Sequence, residues 1–139
     1  MIKVEAIVRV GALKKVLTKL LEIDYPGLTA YEVLGHGRQR GIKEHYRDQT
    51  TLSMVPKLKI ECVCSGPAEA KKAIEAITAA CHTGEQGDGK IFVYPLTDVI
   101  RIRTGEKGTF AINDSAHLPG WIKPKAKTKT LTKGKPVKK

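Results

Sequence analysis

Aromatic residues make up only 5% of this chain of 139, and none follows Trp121. The end of the chain therefore offers no platform on which nucleic-acid bases could stack. Cysteine is scarce too: three residues, an odd number, argue against a disulfide framework and for a reducing cytoplasm. No apolar run approaches the roughly 18 residues that a membrane span requires. The opening Met1-Ile2-Lys3-Val4-Glu5 alternates at once, with no basic stretch ahead of an apolar one, so no signal peptide is expected. Acid is missing from residues 122–139, which hold eight lysines. Most of the formal net charge of +11 sits there, because the preceding 121 residues carry 17 basic against 14 acidic groups. A segment of Lys, Thr and Pro with almost nothing to bury is expected to be disordered. Its lysines would hold any polyanion in a salt-dependent way. A solubilising tail, or one touching an acidic partner or a membrane surface, is the plainer reading, and nucleic acid is not the expected partner.

What remains is ample for one folded domain, at 41% hydrophobic residues over the chain. Ile2, Val4, Ala6, Val8 and Val10 alternate as one face of a half-buried strand. After Gly11, Leu13, Val16, Leu17, Leu20 and Leu21 recur at helical spacing, and Pro26-Gly27 is expected to end that helix. A second strand over about residues 28–35 is followed by Gly35-His36-Gly37-Arg38-Gln39-Arg40-Gly41, and from there to Ser53 polarity is high and no period is clean, so this stretch reads as a long excursion. Val55–Cys64 alternates again, with Leu58, Ile60, Cys62 and Cys64 on one face and Lys57, Lys59, Glu61 and Val63 on the other. Gly66-Pro67 with Glu69 predicts a helix start, and Ala70, Ala73, Ile74, Ile77 and Cys81 give its apolar stripe. Residues 91–103 are expected to contain the last strand, with Ile100 and Ile102 facing opposite to Arg101 and Arg103.

That order is the α+β, ferredoxin-like βαββαβ arrangement, a four-stranded antiparallel sheet with two helices on one face. The other face is left uncovered, and oligomerisation is the usual remedy for apolar residues there. Residues 113–121 form a transition between the domain of residues 1–112 and the lysine-rich tail.

Chemistry concentrates in Thr83-Gly84-Glu85-Gln86-Gly87-Asp88-Gly89-Lys90-Ile91-Phe92. Its glycines let backbone approach a ligand closely, consecutive amides can cradle an anion, and Lys90 adds a cation. Residues 84–90 satisfy the first seven positions of a P-loop. Ile91 then stands where a magnesium-binding Ser or Thr belongs, and the loop joins a helix to a strand instead of a strand to a helix. On the strand reading, Arg101 and Arg103 share a face and give two guanidinium forks for phosphate oxygens. Gly35, Gly37, Arg38 and Gln39 make a second loop with polar side chains, and Lys57 and Glu61 share a strand face. Cys62 and Cys64 fall on the core face and are expected to be structural, as buried cysteines usually are. No catalytic constellation or metal-ligand cluster of recognisable period is present, so no enzyme activity is expected.

These strings together resemble the PII family of signal-transduction proteins. The resemblance rests on residues 35–46, on Pro56-Lys57 to Glu61, on the Thr-Gly-x-x-Gly-Asp-Gly-Lys-Ile-Phe string, and on Asp98-Val99-Ile100-Arg101-Ile102-Arg103-Thr104-Gly105-Glu106. It implies a cytoplasmic homotrimer with ATP or ADP, and in some relatives AMP, bound between subunits and no prosthetic group. Phosphate contacts carry over to Gly87, Asp88, Gly89 and Lys90, with Arg38, Arg101 and Arg103 completing the clamp. Thr29 and Val63 fall where the family lines the adenine pocket, and Glu61 falls near the nucleotide. Gln39 and Lys57 match residues that organise Mg2+ and 2-oxoglutarate beside ATP. Residues 37–55 correspond to the T-loop, which reports ligand state to a target transporter or enzyme. A membrane is implied only through a transporter partner.

Two features depart from the family pattern. The T-loop has Arg47-Asp48-Gln49-Thr50-Thr51-Leu52-Ser53-Met54 where the uridylylated branch carries a Gly-Ala-Glu-Tyr-like string, and it is one residue short. Uridylylation is therefore not expected, and an ammonium channel is in doubt as the target. The lysine-rich extension is the second departure. The alternatives are a PII-like regulator of inorganic-carbon uptake or carboxysomes that binds ADP or AMP with bicarbonate, a regulator of nitrogenase, and a polyanion-binding protein acting through its tail.

Overall fold

The computed structural model describes residues 1–25, 27–37, 43–46, 49–52 and 54–113. Strand β1 (Ile2–Val8) leads through a 3-10 turn (Val10–Ala12) into helix α1 (Leu13–Glu22), then strand β2 (Thr29–Gly35). A hairpin follows, β3 (Lys43–Tyr46) and β4 (Gln49–Leu52), then β5 (Val55–Cys64), helix α2 (Pro67–Cys81), β6 (Lys90–Pro95) and the short helix α3 (Thr109–Ile112). The main sheet has the order β2-β5-β1-β6, every neighbour antiparallel. This is the expected ferredoxin-like fold, in which each helix connects strands that are not neighbours in the sheet.

Alternation decides which sheet face is covered. Val4, Ala6 and Val8 of β1 and Leu58, Ile60, Cys62 and Cys64 of β5 are buried against Val16 and Leu20 of α1 and Ala70, Ala73, Ala76 and Ile77 of α2. The alanines on α2 let that helix lie close to the sheet, and each buried Val, Leu or Ile side chain contributes roughly 1.5–3 kcal/mol. Burial pushes the Cys62 thiol up to about 12, as befits an inert core residue. Helix α2 starts where Pro67 and Glu69 predict: the Glu69 carboxylate accepts from both the N–H and the hydroxyl of Ser65.

Four expectations change. Helix α1 ends at Glu22, before Pro26-Gly27, because Asp24 takes a left-handed conformation (φ 56°) and the Tyr25 N–H returns to the Leu20 carbonyl at 3.0 Å. Leu17 and Leu21 are exposed, the latter 69%, so the buried stripe of α1 is narrower than its leucines suggest. Val10 leaves the strand for the 3-10 turn. The excursion contains the β3–β4 hairpin, in register from Lys43↔Leu52 to Tyr46↔Gln49. The lysine-rich tail lies outside the described residues.

The last strand is the largest correction. β6 stops at Pro95, and its ladder with β1 ends at Ile2↔Pro95, followed by one bond from the Leu96 N–H to the Met1 carbonyl. Beyond that point no strand of the sheet lies opposite, so residues 98–111 fold on themselves instead. Ile100 bridges to Lys107, and residues 102–104 form a turn.

Candidate functional site

The chain between α2 and β6 is shaped by one carboxylate. Asp88 Oδ2 accepts from the backbone N–H groups of Thr83 (2.8 Å) and Gly84 (2.9 Å), while Oδ1 accepts from the Thr83 hydroxyl and from Arg9 Nη1 (2.6 Å). The Thr83 hydroxyl above all, then the backbone donors and Arg9, hold the Asp88 carboxyl well below the usual carboxylate range. Gly84, Gly87 and Gly89 all have positive φ, at 86°, 103° and 107°. At Gly89 a side chain is excluded twice over: besides its φ, a Cβ there would come within 1.9 Å of the Ile7 carbonyl oxygen.

This loop forms one wall of a cleft of 460 Å3. The opposite wall is the end of β2, Gly35 with His36 and Gly37, and Ile7, Val55, Lys57 and Phe92 also line it. The fold thus brings together Gly35, Gly37, Lys57, Gly87, Asp88, Gly89 and Lys90 from the sequence-predicted set, contributed by the end of β2, by β5, and by the glycine loop with the first residue of β6. A mainly apolar floor beside glycine-rich backbone and two lysines suits a flat apolar group that carries an anionic chain.

Thr29, Glu61 and Val63 do not line this cleft. They lie on the open face of the sheet, Thr29 opposite Glu61 on β5 and Val63 opposite Lys3 on β1. The middle of that face is a charge network: Lys3 Nζ is 2.9 Å from Glu61 Oε1, Lys59 Nζ is 3.1 Å from Glu5 Oε2, and the Tyr31 hydroxyl donates to Glu61 at 2.9 Å. Lys59 also sits 5.5 Å above the Tyr31 ring. The hydrogen bond from Lys3, then that from Tyr31, lowers the Glu61 pKa, and the same contact raises that of Lys3.

Arg101 and Arg103 are not strand neighbours pointing one way, and neither lines the cleft of its own chain. The Arg101 guanidinium pairs with Glu106 and donates to the carbonyls of Phe110 (3.0 Å) and Ala111 (2.9 Å) at the end of α3. Ile102 between them is fully exposed. Arg38 and Gln39 lie outside the described residues. Among the described residues no group of three or more His, Cys, Asp or Glu could hold a metal ion. Sequence reasoning missed Arg9, which meets the loop across 79 positions of chain, a distance no local pattern spans.

A family model, "Nitrogen regulatory protein P-II", matches residues 1–106. The chain belongs to the P-II family. Among curated P-II proteins, those named nitrogen regulatory protein P-II from Azospirillum brasilense and Rhodospirillum rubrum are each 48% identical over 111 residues, 79% of this chain and 98% of the relative. The one from Synechocystis is 45% identical over the same shares. As a P-II protein the chain is a signalling regulator and not an enzyme. The P-II match takes in both walls of the cleft and the Arg101–Glu106 segment, while the lysine-rich tail lies beyond it. None of the helices among the described residues is long and apolar enough to cross a membrane.

Proposed function

We propose that this P-II protein binds ATP or ADP in the cleft between residues 35–37 and the glycine loop. The phosphates lie on the backbone of Gly87, Asp88 and Gly89 with Lys90 beside them. The observation that carries this reading is the loop's prior construction: the Asp88 carboxylate is engaged inside it, at Thr83, Gly84 and Arg9, so its charge is partly offset before any ligand arrives. Arg101 and Arg103 come from a second copy of the chain, as does the adenine pocket of Thr29 and Val63 with Glu61 nearby. The unit is a homotrimer that covers the open sheet face, where exposed Tyr31, Phe92 and Tyr94 rim the charge network. Arg38 completes the clamp, and Gln39 and Lys57 organise Mg2+ and 2-oxoglutarate beside ATP.

Residues 37–55 act as the output. A ligand shifts this segment only by its differential affinity for two arrangements, and a transporter or enzyme target in the cytoplasm reads the arrangement. The name shared by the relatives favours nitrogen regulation over the inorganic-carbon alternative. Calorimetry with ATP, ADP and AMP, each with and without 2-oxoglutarate or bicarbonate, tests the reading. ATP and 2-oxoglutarate should reinforce one another. A preference for ADP or AMP with bicarbonate would move the protein to the carbon branch, and no binding of any nucleotide would overturn the reading.

A further inference from the structure

We infer that Arg9 is the positioning residue of the glycine loop, acting on phosphate through the loop and not by contact. The inference rests on the reading of that loop as a phosphate site. Arg9 follows β1 directly and is not among the residues lining the cleft, whereas residues 85–90 are. Its guanidinium nevertheless spans the loop. Nη1 donates to Asp88 Oδ1 at 2.6 Å and to the Thr83 hydroxyl at 3.2 Å, and Nη2 donates to the Gln86 carbonyl at 2.9 Å.

The bonds to Asp88 and to the Gln86 carbonyl have distinct consequences. Glu85 and Asp88 both line the cleft, and the contact with Asp88 places a cation against one of these two carboxylates, which would otherwise repel an incoming phosphate. The contact with the Gln86 carbonyl fixes a peptide plane. In a trans peptide the following N–H points opposite to the carbonyl, so drawing the Gln86 oxygen toward Arg9 turns the Gly87 N–H away from it. Gly87, at φ 103°, can hold that orientation because it has no side chain. The two bonds need a fork of fixed geometry, which a lysine ammonium does not supply.

The test compares full-length wild type with Arg9→Met and Arg9→Lys, titrated with ADP and with adenosine. Amide hydrogen exchange at Thr83 and Gly84, whose N–H groups are held by Asp88, is followed in the ligand-free proteins. Arg9→Met should weaken ADP binding about tenfold and leave adenosine binding unchanged, since only the phosphate part of the ligand meets the loop. It should also quicken exchange at both amides, and Arg9→Lys should restore exchange more fully than ADP affinity because it keeps the charge but not the fork. Wild type that takes no ADP overturns the phosphate reading itself. Wild type that takes ADP, with Arg9→Met matching it in both affinity and exchange, overturns the role of Arg9 alone. An equal loss for ADP and adenosine also overturns that role, because it marks general damage to the fold.

Discussion

The glycine loop and the segment after β6 are the two halves of one expected phosphate grip, and they are built on opposite plans. In the loop, Asp88 ties Thr83, Gly84 and Arg9 together, so the shape exists before a ligand arrives. In the segment after β6, the Arg101 guanidinium is occupied by Glu106 and by the carbonyls that end a four-residue helix, and Ile102 beside it is fully exposed. The first half is preorganised and the second is contingent. The Arg101 side chain is only 17% exposed but Glu106 is 47% exposed, so phosphate oxygens can replace this ionic partner at modest cost.

The largest effect should come from breaking the preorganised half. Gly89→Ala puts a Cβ against the Ile7 carbonyl at a positive φ. It should cost about 3 kcal/mol of stability and remove nucleotide binding. A urea midpoint equal to wild type would show that the loop is looser than described.

Acid should give the next effect, at the loop carboxylate and on the open sheet face. The Asp88 pKa lies below its ordinary value of 3.8 in the folded chain. A carboxylate with a lowered folded pKa stabilises the fold above its unfolded value and loses that contribution as pH falls. Asp88→Asn should therefore flatten the decline in urea midpoint between neutral pH and about pH 3. Glu61 works in the same direction through Lys3 and Tyr31, so Glu61→Gln should flatten it as well. An acid limb unchanged in both variants would contradict the hydrogen bonding on which each shift depends.

The contingent half gives a smaller effect of opposite sign. Glu106→Gln removes a competitor for Arg101 and should tighten ADP binding about threefold. Weaker binding would mean that Glu106 orients Arg101 for the ligand instead of holding it back. Smallest of all, deleting residues 122–139 should leave ADP affinity within about twofold, since no predicted site residue falls in that segment and salt screens long-range charge effects. A large loss would place the tail in the site.

How far the sequence was legible follows the same division. Alternation in β1 and β5 and the Gly66-Pro67 start of α2 depend on neighbours in sequence, and they appear where predicted except at Val10. The glycine string was legible because positive φ and close approach are local demands that only glycine meets. Parity at Arg101 and Arg103 failed because it presumes a pairing partner, and β6 loses its partner at Pro95. Arg9 gave no signal, since its meaning lies in a loop 79 residues away. The β3–β4 hairpin had no clean period to betray it. The cleft gathers only part of the predicted set, because parity and spacing place residues along one chain and carry no signal of which surfaces meet.

The proposed function stands or falls on phosphate sitting on the preorganised loop. Backbone amide shifts of the full-length protein titrated with ADP test it most directly. The largest changes should fall on residues 86–90, with Arg101 and Arg103 following and Cys62 and Ile77 in the core unmoved. Saturable binding that leaves Gly87, Gly89 and Lys90 unshifted would contradict the claim.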